Sequence, residues 1–511
     1  MGESPPSTPS GPERRGRSTA AWWGLCVAVF SLGYLATCQR GFSWQDSGTF
    51  QRRVQDGDYS GDLGLALAHP LYIAAGQAVR AVPLGPFAMR LNAFSGVGMA
   101  VALANLMAVV TLLTGRRWIG LATAGMLAVC HTAWWLSTIA EVYTWSAAGL
   151  TGELWLLAHL LRRPRWGVLA GLAFVCGLGW CVHNFVLLGL PVYLAVAVVL
   201  VRTGRLRAWS LAIAAAAFAL GAAPYLVMIV QKAAATGRPG AAVVSALVGE
   251  YGPNVFNLTD MSDKALSNTV LMGMNAVSLL VPLAVVGWFA LRRRAGAGAA
   301  AAIAALTVIH ILFVARYNVQ DQFTFFLPSL VMIALAAGLG LAELAERSRR
   351  WRIAAIAAAA VSIALPPAFY AAAPALARAA GYDLPERHRF RDELRYWMVP
   401  WKHDEDSAER FAAAALRQAA PDGVILTDST ADDPLRLVQR RDGLGGDVSF
   451  QLEDRALPSY EADPATFRSA LGGRTLYLYH RPAGRLADDA EFARGPTDAL
   501  YRLTRWRPRA Q

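Results

Sequence analysis

Long apolar blocks constrain the fold of this chain more than any other feature. A helix needs about 20 mostly apolar residues to cross the hydrocarbon core of a bilayer, and the sequence supplies many blocks of that length. Of the 511 residues, 55% are hydrophobic and 16% are charged, whereas soluble domains carry roughly 25% charged residues. The sequence therefore predicts a polytopic α-helical membrane protein with about eleven transmembrane helices.

The apolar blocks also predict where the spans lie. By apolar length they fall at 20–38, 87–114, 118–136, 141–161, 166–182, 184–201, 208–230, 267–291, 297–315, 323–345 and 352–372. One arginine cluster lies before the first span, and the others lie in every second connection between spans. They are at positions 14–17, 116–117, 162–165, 202–207, 292–294 and 347–352. Because basic loops stay in the cytoplasm, one orientation accounts for every cluster.

The sequence and this orientation predict three parts. Residues 1–19 are expected to be a disordered cytoplasmic N-terminus, and residues 20–372 the transmembrane domain. Within it, 39–86 is expected to be an extracytoplasmic loop with two short interfacial helices, at 44–56 and 70–82. Residues 373–511 are expected to be a small α/β domain outside the membrane, with strands at 424–427 and 475–479 and helices at 405–419 and 464–471. The net charge of +12 lies in loop clusters, so no nucleic-acid partner is expected.

Asp46 is the candidate catalytic residue. It follows the first span in the sequence SWQDSGTF, where partial desolvation at a membrane surface would raise the pKa of a carboxyl group toward that of a useful general base. The alternative is structural, since aspartate is also a good N-cap for the helix expected next.

Further polar residues fall in loops on the same predicted side of the membrane. Glu141 and Tyr143 begin the fourth span, and His69, His183 and Asn184 add two imidazoles and an amide. Arg90 and Arg80 lie close to His69 in sequence, so the imidazoles and guanidinium groups are candidates to hold a phosphate. Each residue alone also has a structural explanation, such as the favourable dipole at the start of a helix for Glu141.

A compact polar loop at 316–322 contributes Tyr317, Asp321 and Gln322, either as part of the site or as a solvated turn. Inside predicted spans, Asn105 and Glu153 should find partners in the helix bundle, and they are candidates to pair with each other.

Taken in order, these motifs resemble those of the GT-C superfamily of membrane glycosyltransferases. The resemblance is to the bacterial relatives of the multi-pass protein O-mannosyltransferase that acts on plexin-type domains. It rests on six short stretches across residues 20–330: Trp44-x-Asp46-Ser47-Gly48, His69-Pro70, Arg90-x-Asn92, Glu141-Val142-Tyr143, His183-Asn184 and Asp321-Gln322-Phe323-x-Phe325-Phe326-Leu327-Pro328.

The resemblance implies a sugar, with mannose as one candidate, donated by a polyprenyl phosphate to a hydroxyl on a protein, glycan or lipid. It implies a bacterial cytoplasmic (inner) membrane location, with membrane lipid around the spans, and Asp46 as the base of an inverting transfer. Two departures matter: Thr49 stands where relatives often have an acid, and Leu71-Tyr72 follow His69-Pro70 where relatives often have Pro-Gly. No cofactor is certain, and the acidic residues leave room for a divalent metal, with no metal ligand assigned.

Two other classes of protein remain open on sequence alone. A transporter or lipid flippase would use Asn105, Glu153 and His310 as its substrate path. A noncatalytic membrane scaffold would use the tail to bind a partner.

Overall fold

A computed structural model of the chain describes residues 12–61, 64–249, 261–317, 319, 321–452, 463–495 and 497–507. The prediction of disorder for residues 1–11 lies outside this range. The first helix begins at Pro12, earlier than the predicted end of the disordered segment at residue 19.

The described chain is mostly helical as far as residue 418, and a small sheet follows. The helices are α1 (Pro12–Thr37), α2 (Gln45–Asp56), α3 (Pro70–Arg80), α4 (Phe87–Thr114), α5 (Arg117–Ala128), α6 (His131–Leu136), α7 (Tyr143–Arg162), α8 (Trp166–Trp180), α9 (Leu190–Arg202), α10 (Trp209–Gly221), α11 (Ala223–Thr236), α12 (Pro239–Leu247), α13 (Met261–Met274), α14 (Leu280–Ala295), α15 (Ala297–Arg316), α16 (Leu327–Arg347), α17 (Arg349–Ala379), α18 (Glu393–Met398), α19 (Ser407–Gln418), α20 (Asp432–Asp442), α21 (Pro464–Leu471) and α22 (Gly484–Asp489). Short 3-10 helices lie at Leu65–Leu67, Asn184–Leu188 and Gln322–Phe326.

Within the described residues, five helices are long and apolar enough to cross a membrane. They are Thr19–Thr37, Phe87–Thr114, Ala297–Arg316, Gln322–Arg347 and Arg349–Ala379, and each coincides with a predicted span. The bent pair α10 and α11 brings the number to six if it forms one span. The multi-pass character is therefore clear, while the total of about eleven spans remains a prediction.

Several other predicted spans are interrupted. The block at 208–230 is bent by 72° between α10 and α11, where Pro224 lacks an amide hydrogen and its ring opposes the carbonyl four residues earlier. The block at 184–201 starts with a 3-10 helix, and α9 follows with Pro191 in its first turn. The blocks at 118–136 and 267–291 each divide into two helices. Apolar length alone does not reveal these breaks.

Helices α4 and α7 run side by side and define two ends of the bundle. At one end the Ser95 hydroxyl donates to the backbone carbonyl of Glu141 over 3.0 Å. At the other end the Arg162 guanidinium donates to the carbonyl of Leu112 over 2.7 Å. A helix of the length of α7 spans about 30 Å, which is the thickness of the hydrocarbon core. Glu141 and Arg162 thus lie at ends that are one membrane thickness apart.

The arginines of the predicted basic loops gather at the Arg162 end. Arg116 pairs with Glu346 over 3.1 Å, and Arg294 pairs with Glu343 over 2.6 Å. The Arg205 guanidinium donates to the carbonyl of Leu161 over 3.1 Å. Loops far apart in sequence therefore share one end of the bundle, as the alternation of arginine clusters predicts.

The polar residues inside the bundle have separate partners. The Trp23 indole donates to the Asn105 side chain over 2.9 Å, and the Asn105 amide donates to the carbonyl of Ala148. The Tyr193 hydroxyl donates to Glu153 over 2.7 Å. The expectation that Asn105 and Glu153 pair with each other is wrong, because each meets a polar group from another helix.

The C-terminal region contains a five-stranded sheet in the order β2-β1-β3-β5-β4. The strands are β1 (Val424–Thr427), β2 (Ser449–Leu452), β3 (Leu476–Leu478), β4 (Ala490–Arg494) and β5 (Tyr501–Trp506). β1 is parallel to β2 and β3, whereas β5 is antiparallel to β3 and β4. β1, β3, α19 and α21 lie where the sequence predicts strands and helices, so local patterns place the α/β elements correctly.

Two glycines allow α14 and α16 to approach at backbone contact distance. A Cβ added to Gly287 would lie 1.7 Å from the carbonyl oxygen of Ala336, and one added to Gly340 would lie 2.0 Å from that of Leu283. Small residues at helix crossings permit close packing in membranes, where dispersion contacts drive association. This crossing is one of the tightest points in the bundle.

We expect Gly287→Ala to destabilise the folded protein by about 1–3 kcal/mol, because the added methyl group must push the backbones of α14 and α16 apart. Thermal unfolding in detergent, followed by tryptophan fluorescence, measures the change. Gly149→Ala in α7 is the matched control, since a Cβ there meets nothing within 4 Å. Equal melting temperatures for the two variants would contradict this account of the crossing.

Candidate functional site

Asp46 lies in the first turn of α2, just beyond the end of α1. Its side chain is exposed to solvent, yet protein atoms surround it closely enough to desolvate it. We call the space around this solvent-reached but closely surrounded carboxyl group the recess. The residue before the helix is Trp44, so Asp46 is not the N-cap that the structural alternative requires.

Two residues beside the site hold left-handed backbone conformations. Gln45, directly before Asp46, has φ of 58°, and His69 has φ of 48°. Residues other than glycine adopt a left-handed backbone conformation at a cost of about 1–3 kcal/mol. Residues in this conformation concentrate at functional sites. The strained backbone at both positions is an independent indication that this region has been shaped for function.

The segment before His69 is held by a buried arginine. Arg53 of α2 is 4% exposed and donates to the carbonyls of Leu67 and Ala68 over 2.8 and 2.7 Å. A guanidinium group in this fork geometry fixes two carbonyls at once. The helix that carries Asp46 therefore also positions His69.

Glu141 lies in the loop before α7 and is linked to the Asp46 helix. The hydroxyl of Ser47 donates to one oxygen of Glu141 over 2.9 Å. The other oxygen is buried and has no hydrogen-bond partner among the described residues. Burial, together with the negative charges of Asp46 and Asp321, raises the pKa of Glu141 well above its ordinary value.

Asp46 stands in the same electrostatic cluster. The surrounding protein, followed by the charges of Asp321 and Asp433, raises the pKa of Asp46 to about 7. A carboxyl group with that pKa is a proton acceptor poised near neutral pH. Like charges that cannot all ionise together are a common signature of a functional site.

A wall of aromatic rings and imidazoles borders these carboxyl groups. The rings of His69 and His183 stack with centroids 5.5 Å apart, and Tyr143 lies 5.2 Å from His183. Phe325 bridges Tyr143 at 5.1 Å and Tyr317 at 4.8 Å. Residues from four separate parts of the sequence thus meet in one cluster.

Hydrogen bonds assign the neutral tautomer of each histidine. Nδ1 of His69 donates to the carbonyl of Val182 over 2.7 Å, whereas Nδ1 of His183 accepts from the amide of Phe185 over 3.2 Å. Burial lowers the pKa of both, to about 3 for His183. His183 is therefore a neutral residue whose Nε2 carries the proton and is a hydrogen-bond donor.

Three predicted site residues do not join this cluster. The Asn184 amide donates to the carbonyls of Ala246 and Leu247, and that of Gln322 donates to the carbonyl of Val314. The three hydrogen bonds of these two residues all go to backbone carbonyls. Asn184 and Gln322 thus hold the local backbone in place.

Arg90, the third such residue, donates to the carbonyl of Arg80 at the far end of α3. α3 separates Arg80 from His69 by about 15 Å. A single phosphate therefore cannot contact both the histidines and these arginines, and the expected grouping of Arg90 with His69 and His183 is not found.

Sequence reasoning missed the contribution of the C-terminal region. The Trp44 indole donates to Ser407 over 2.8 Å, and the amide of Phe42 donates to Glu409 over 3.1 Å. The amide of Gln45 reaches the carbonyl of Thr430 over 3.3 Å. Hundreds of residues separate these partners, so no local pattern could have linked them.

The acidic cluster does not provide an evident metal site. Among the residues that the structure describes, no three histidine, cysteine, aspartate or glutamate side chains are arranged to hold a metal ion.

The environment of Glu141 predicts how stability changes with pH. Its pKa is raised on folding, so the unfolded chain loses this proton first and folded stability falls as pH rises from about 4.5 toward the folded pKa. Glu141→Gln keeps an acceptor for Ser47 and has no proton to lose. We expect the melting temperature of the variant, relative to the native protein, to increase by about 1–3 °C between pH 5 and pH 8. A difference that is constant or decreasing over this range would contradict the assignment.

Comparison with known proteins places this geometry in context. Residues 65–207 match the family model described as the protein O-mannosyl-transferase TMEM260 N-terminal domain. This stretch contains His69, Arg90, Glu141, Tyr143 and His183. No curated protein matches the sequence.

Solved structures share the fold over most of the chain. ArnT from Cupriavidus metallidurans, bound to undecaprenyl phosphate, superposes with a TM-score of 0.57 at 12% identity, covering 94% of this chain and 98% of ArnT. The archaeal oligosaccharyltransferase AglB from Archaeoglobus fulgidus, in complex with an inhibitory peptide and a dolichol-phosphate, superposes with a TM-score of 0.55 at 11% identity. That match covers 89% of this chain and 69% of AglB. At these identities the similarity establishes the fold alone.

The polytopic architecture, the match over residues 65–207 and the two structural similarities agree with one another. The chain is a multi-pass membrane protein whose residues 65–207 are similar to the protein O-mannosyl-transferase TMEM260 N-terminal domain and whose fold is shared by ArnT and AglB.

Proposed function

We propose that the protein is an inverting glycosyltransferase that moves a sugar, with mannose as the leading candidate, from a polyprenyl-phosphate donor to an acceptor hydroxyl. The observation that carries this proposal is the Asp46 carboxyl group. It is open to solvent within a recess and has a pKa of about 7. The carboxyl group is thus mostly protonated below neutral pH and mostly ionised above it. The ionised form can act as a general base.

The proposed reaction is a single displacement. Asp46 takes the proton of the acceptor hydroxyl, whose oxygen forms a bond to the anomeric carbon. The bond from that carbon to the phosphate oxygen breaks, and polyprenyl phosphate leaves with the electron pair. The sugar passes through an oxocarbenium-like state, which a nearby carboxylate stabilises. Asp321, whose charge acts on both Asp46 and Glu141, is the proposed source of that stabilisation.

His183 is the proposed partner of the leaving phosphate. Its Nε2–H is left available by the bond that Nδ1 accepts from Phe185. A fixed neutral donor aimed at developing negative charge lowers the barrier without a cost of reorganisation. His69, stacked on His183, keeps that ring in place.

The prenyl chain of the donor is proposed to lie along α15. Phe185 and Tyr317 contact Phe313 of that helix, with centroids 5.6 and 5.5 Å apart. Val308 and Leu312, further along α15, are 50% and 58% exposed. We propose that these apolar residues line the path between the recess and the bilayer that a lipid-linked donor needs.

The reaction is proposed to occur on the extracytoplasmic side of a bacterial inner membrane. The arginine-rich ends of α4, α7 and α14 would then face the cytoplasm under the positive-inside rule. The recess and the C-terminal region, at the other end of α7, would face outside. A lipid-phosphate donor suits that side, because the transfer requires no soluble nucleotide.

Asp46→Asn should lower the transfer rate at least about 100-fold, because an amide cannot accept the acceptor proton. Radiolabelled polyprenyl-phosphate mannose and an envelope protein extract serve as substrates for the purified protein. Asp463→Asn, just before α21, is the matched control, since Asp463 accepts hydrogen bonds from Thr466 of its own turn. Full activity in purified Asp46→Asn protein would refute the assignment.

The rate should also depend on pH with a defined sign. Below the pKa of Asp46, about 7, the carboxyl group is protonated and cannot act as a base. We expect the rate at pH 6 to be roughly 10-fold below its plateau above pH 8. A rate that is level from pH 5 to pH 8, or that rises toward acid, would exclude Asp46 as the base.

A further inference from the structure

Asp433 of α20 lies against the helix that carries Asp46. Its carboxyl group accepts hydrogen bonds from the Thr49 hydroxyl and the Arg52 guanidinium, and the residue is 4% exposed. A Cβ added to Gly48 would lie 3.3 Å from the Cβ of Asp433. The C-terminal region thus contacts α2 within one turn of the proposed base.

A second ion pair strengthens the same contact. Arg52 also faces Asp56, 3.7 Å away along α2, and Asp56 pairs with Arg440 of α20. The two helices are therefore joined by alternating charges along their length. Networks of this kind fix orientation more firmly than isolated surface pairs do.

The charges around Asp46 come from three elements. Asp321 lies just before a 3-10 helix, Glu141 precedes α7, and Asp433 belongs to α20. Asp433 itself is faced by Arg52 from α2 and by Asp432 from its own turn. Its negative charge acts on Asp46 strongly enough to raise the pKa of that group.

We propose that Asp433 is a positioning residue for Asp46. It holds α2 through Thr49 and Arg52, and it supplies from the C-terminal region a carboxylate that opposes ionisation of the base. The catalytic consequence rests on the proposed function, but the effect on Asp46 itself does not.

A packing role alone does not explain this arrangement. A buried carboxylate is costly, and an apolar pair at the same contact would hold two helices together equally well. The neighbouring Asp432, by contrast, accepts a hydrogen bond from Arg436 of its own helix over 2.7 Å. Only Asp433 of this acidic pair is directed at α2 among the contacts that the structure describes.

The test measures the protonation of Asp46 without requiring transfer. A carbodiimide labels protonated carboxyl groups, and mass spectrometry of the Asp46 peptide from the full-length protein in detergent gives the labelled fraction at each pH. We expect the native midpoint near 7. For Asp433→Asn the midpoint should fall by about 0.5–1 pH because one neighbouring negative charge is removed.

Three further variants make the result specific. Asp433→Glu should restore the native midpoint, and Asp432→Asn should leave it unchanged. Arg52→Gln removes the cation that lowers the pKa of Asp433. A protonated Asp433 no longer opposes ionisation of Asp46, so the midpoint should again fall, which preserves the test if Asp433→Asn does not fold. A native midpoint in both Asp433→Asn and Arg52→Gln would overturn the proposal.

Transfer measurements on the same samples separate the two claims. If the midpoints move as expected while the native protein transfers no sugar, the proposed function fails and the assignment of Asp433 stands. If the native protein transfers sugar and Asp433→Asn matches Asp432→Asn in rate and midpoint, the assignment of Asp433 fails alone.

Discussion

The candidate site depends on several carboxyl groups that the fold holds together at one end of the helix bundle. Asp46, Glu141, Asp321 and Asp433 repel one another when ionised, and desolvation adds to that cost. Such a cluster persists only where the surrounding structure enforces it. Here the enforcement comes from strained residues in α2 and before α3, from Arg53, and from contacts with the C-terminal region. Desolvation, together with the charges of Asp321 and Asp433, gives Asp46 a pKa suited to accepting a proton at neutral pH.

The bundle supplies the frame for this site. Parallel packing of α4 and α7 keeps Glu141 about 30 Å from the arginine-rich end, and the glycines at the crossing of α14 and α16 allow the helices to pack closely. The fold itself provides this frame, since the solved structures of ArnT and AglB share it at low sequence identity. At such low identity, the similarity says nothing about the side chains in the recess. The proposed chemistry therefore rests on the side chains of this chain.

Much of this could be predicted from local patterns. Apolar length located the five long spans, the arginine alternation predicted one common end, and short motifs selected Asp46, Glu141, Tyr143 and His183. What failed were features set by tertiary contacts. The backbone role of Asn184 depends on neighbours remote in sequence. Asp433 was invisible for the same reason. Thr49, at a position where the sequence resemblance leads us to expect an acid, donates a hydrogen bond to an acid from α20.

The central claim is that this recess transfers sugar from a lipid phosphate to an acceptor outside the cytoplasm. Mass spectrometry of cell-envelope glycoproteins, glycans and glycolipids tests it most directly, in cells lacking the gene and in cells complemented with the native or the Asp46→Asn protein. The account predicts that one class of glycosylated product disappears without the gene and returns only with the native protein. Unchanged glycosylation in all three strains, or full restoration by Asp46→Asn, would contradict it.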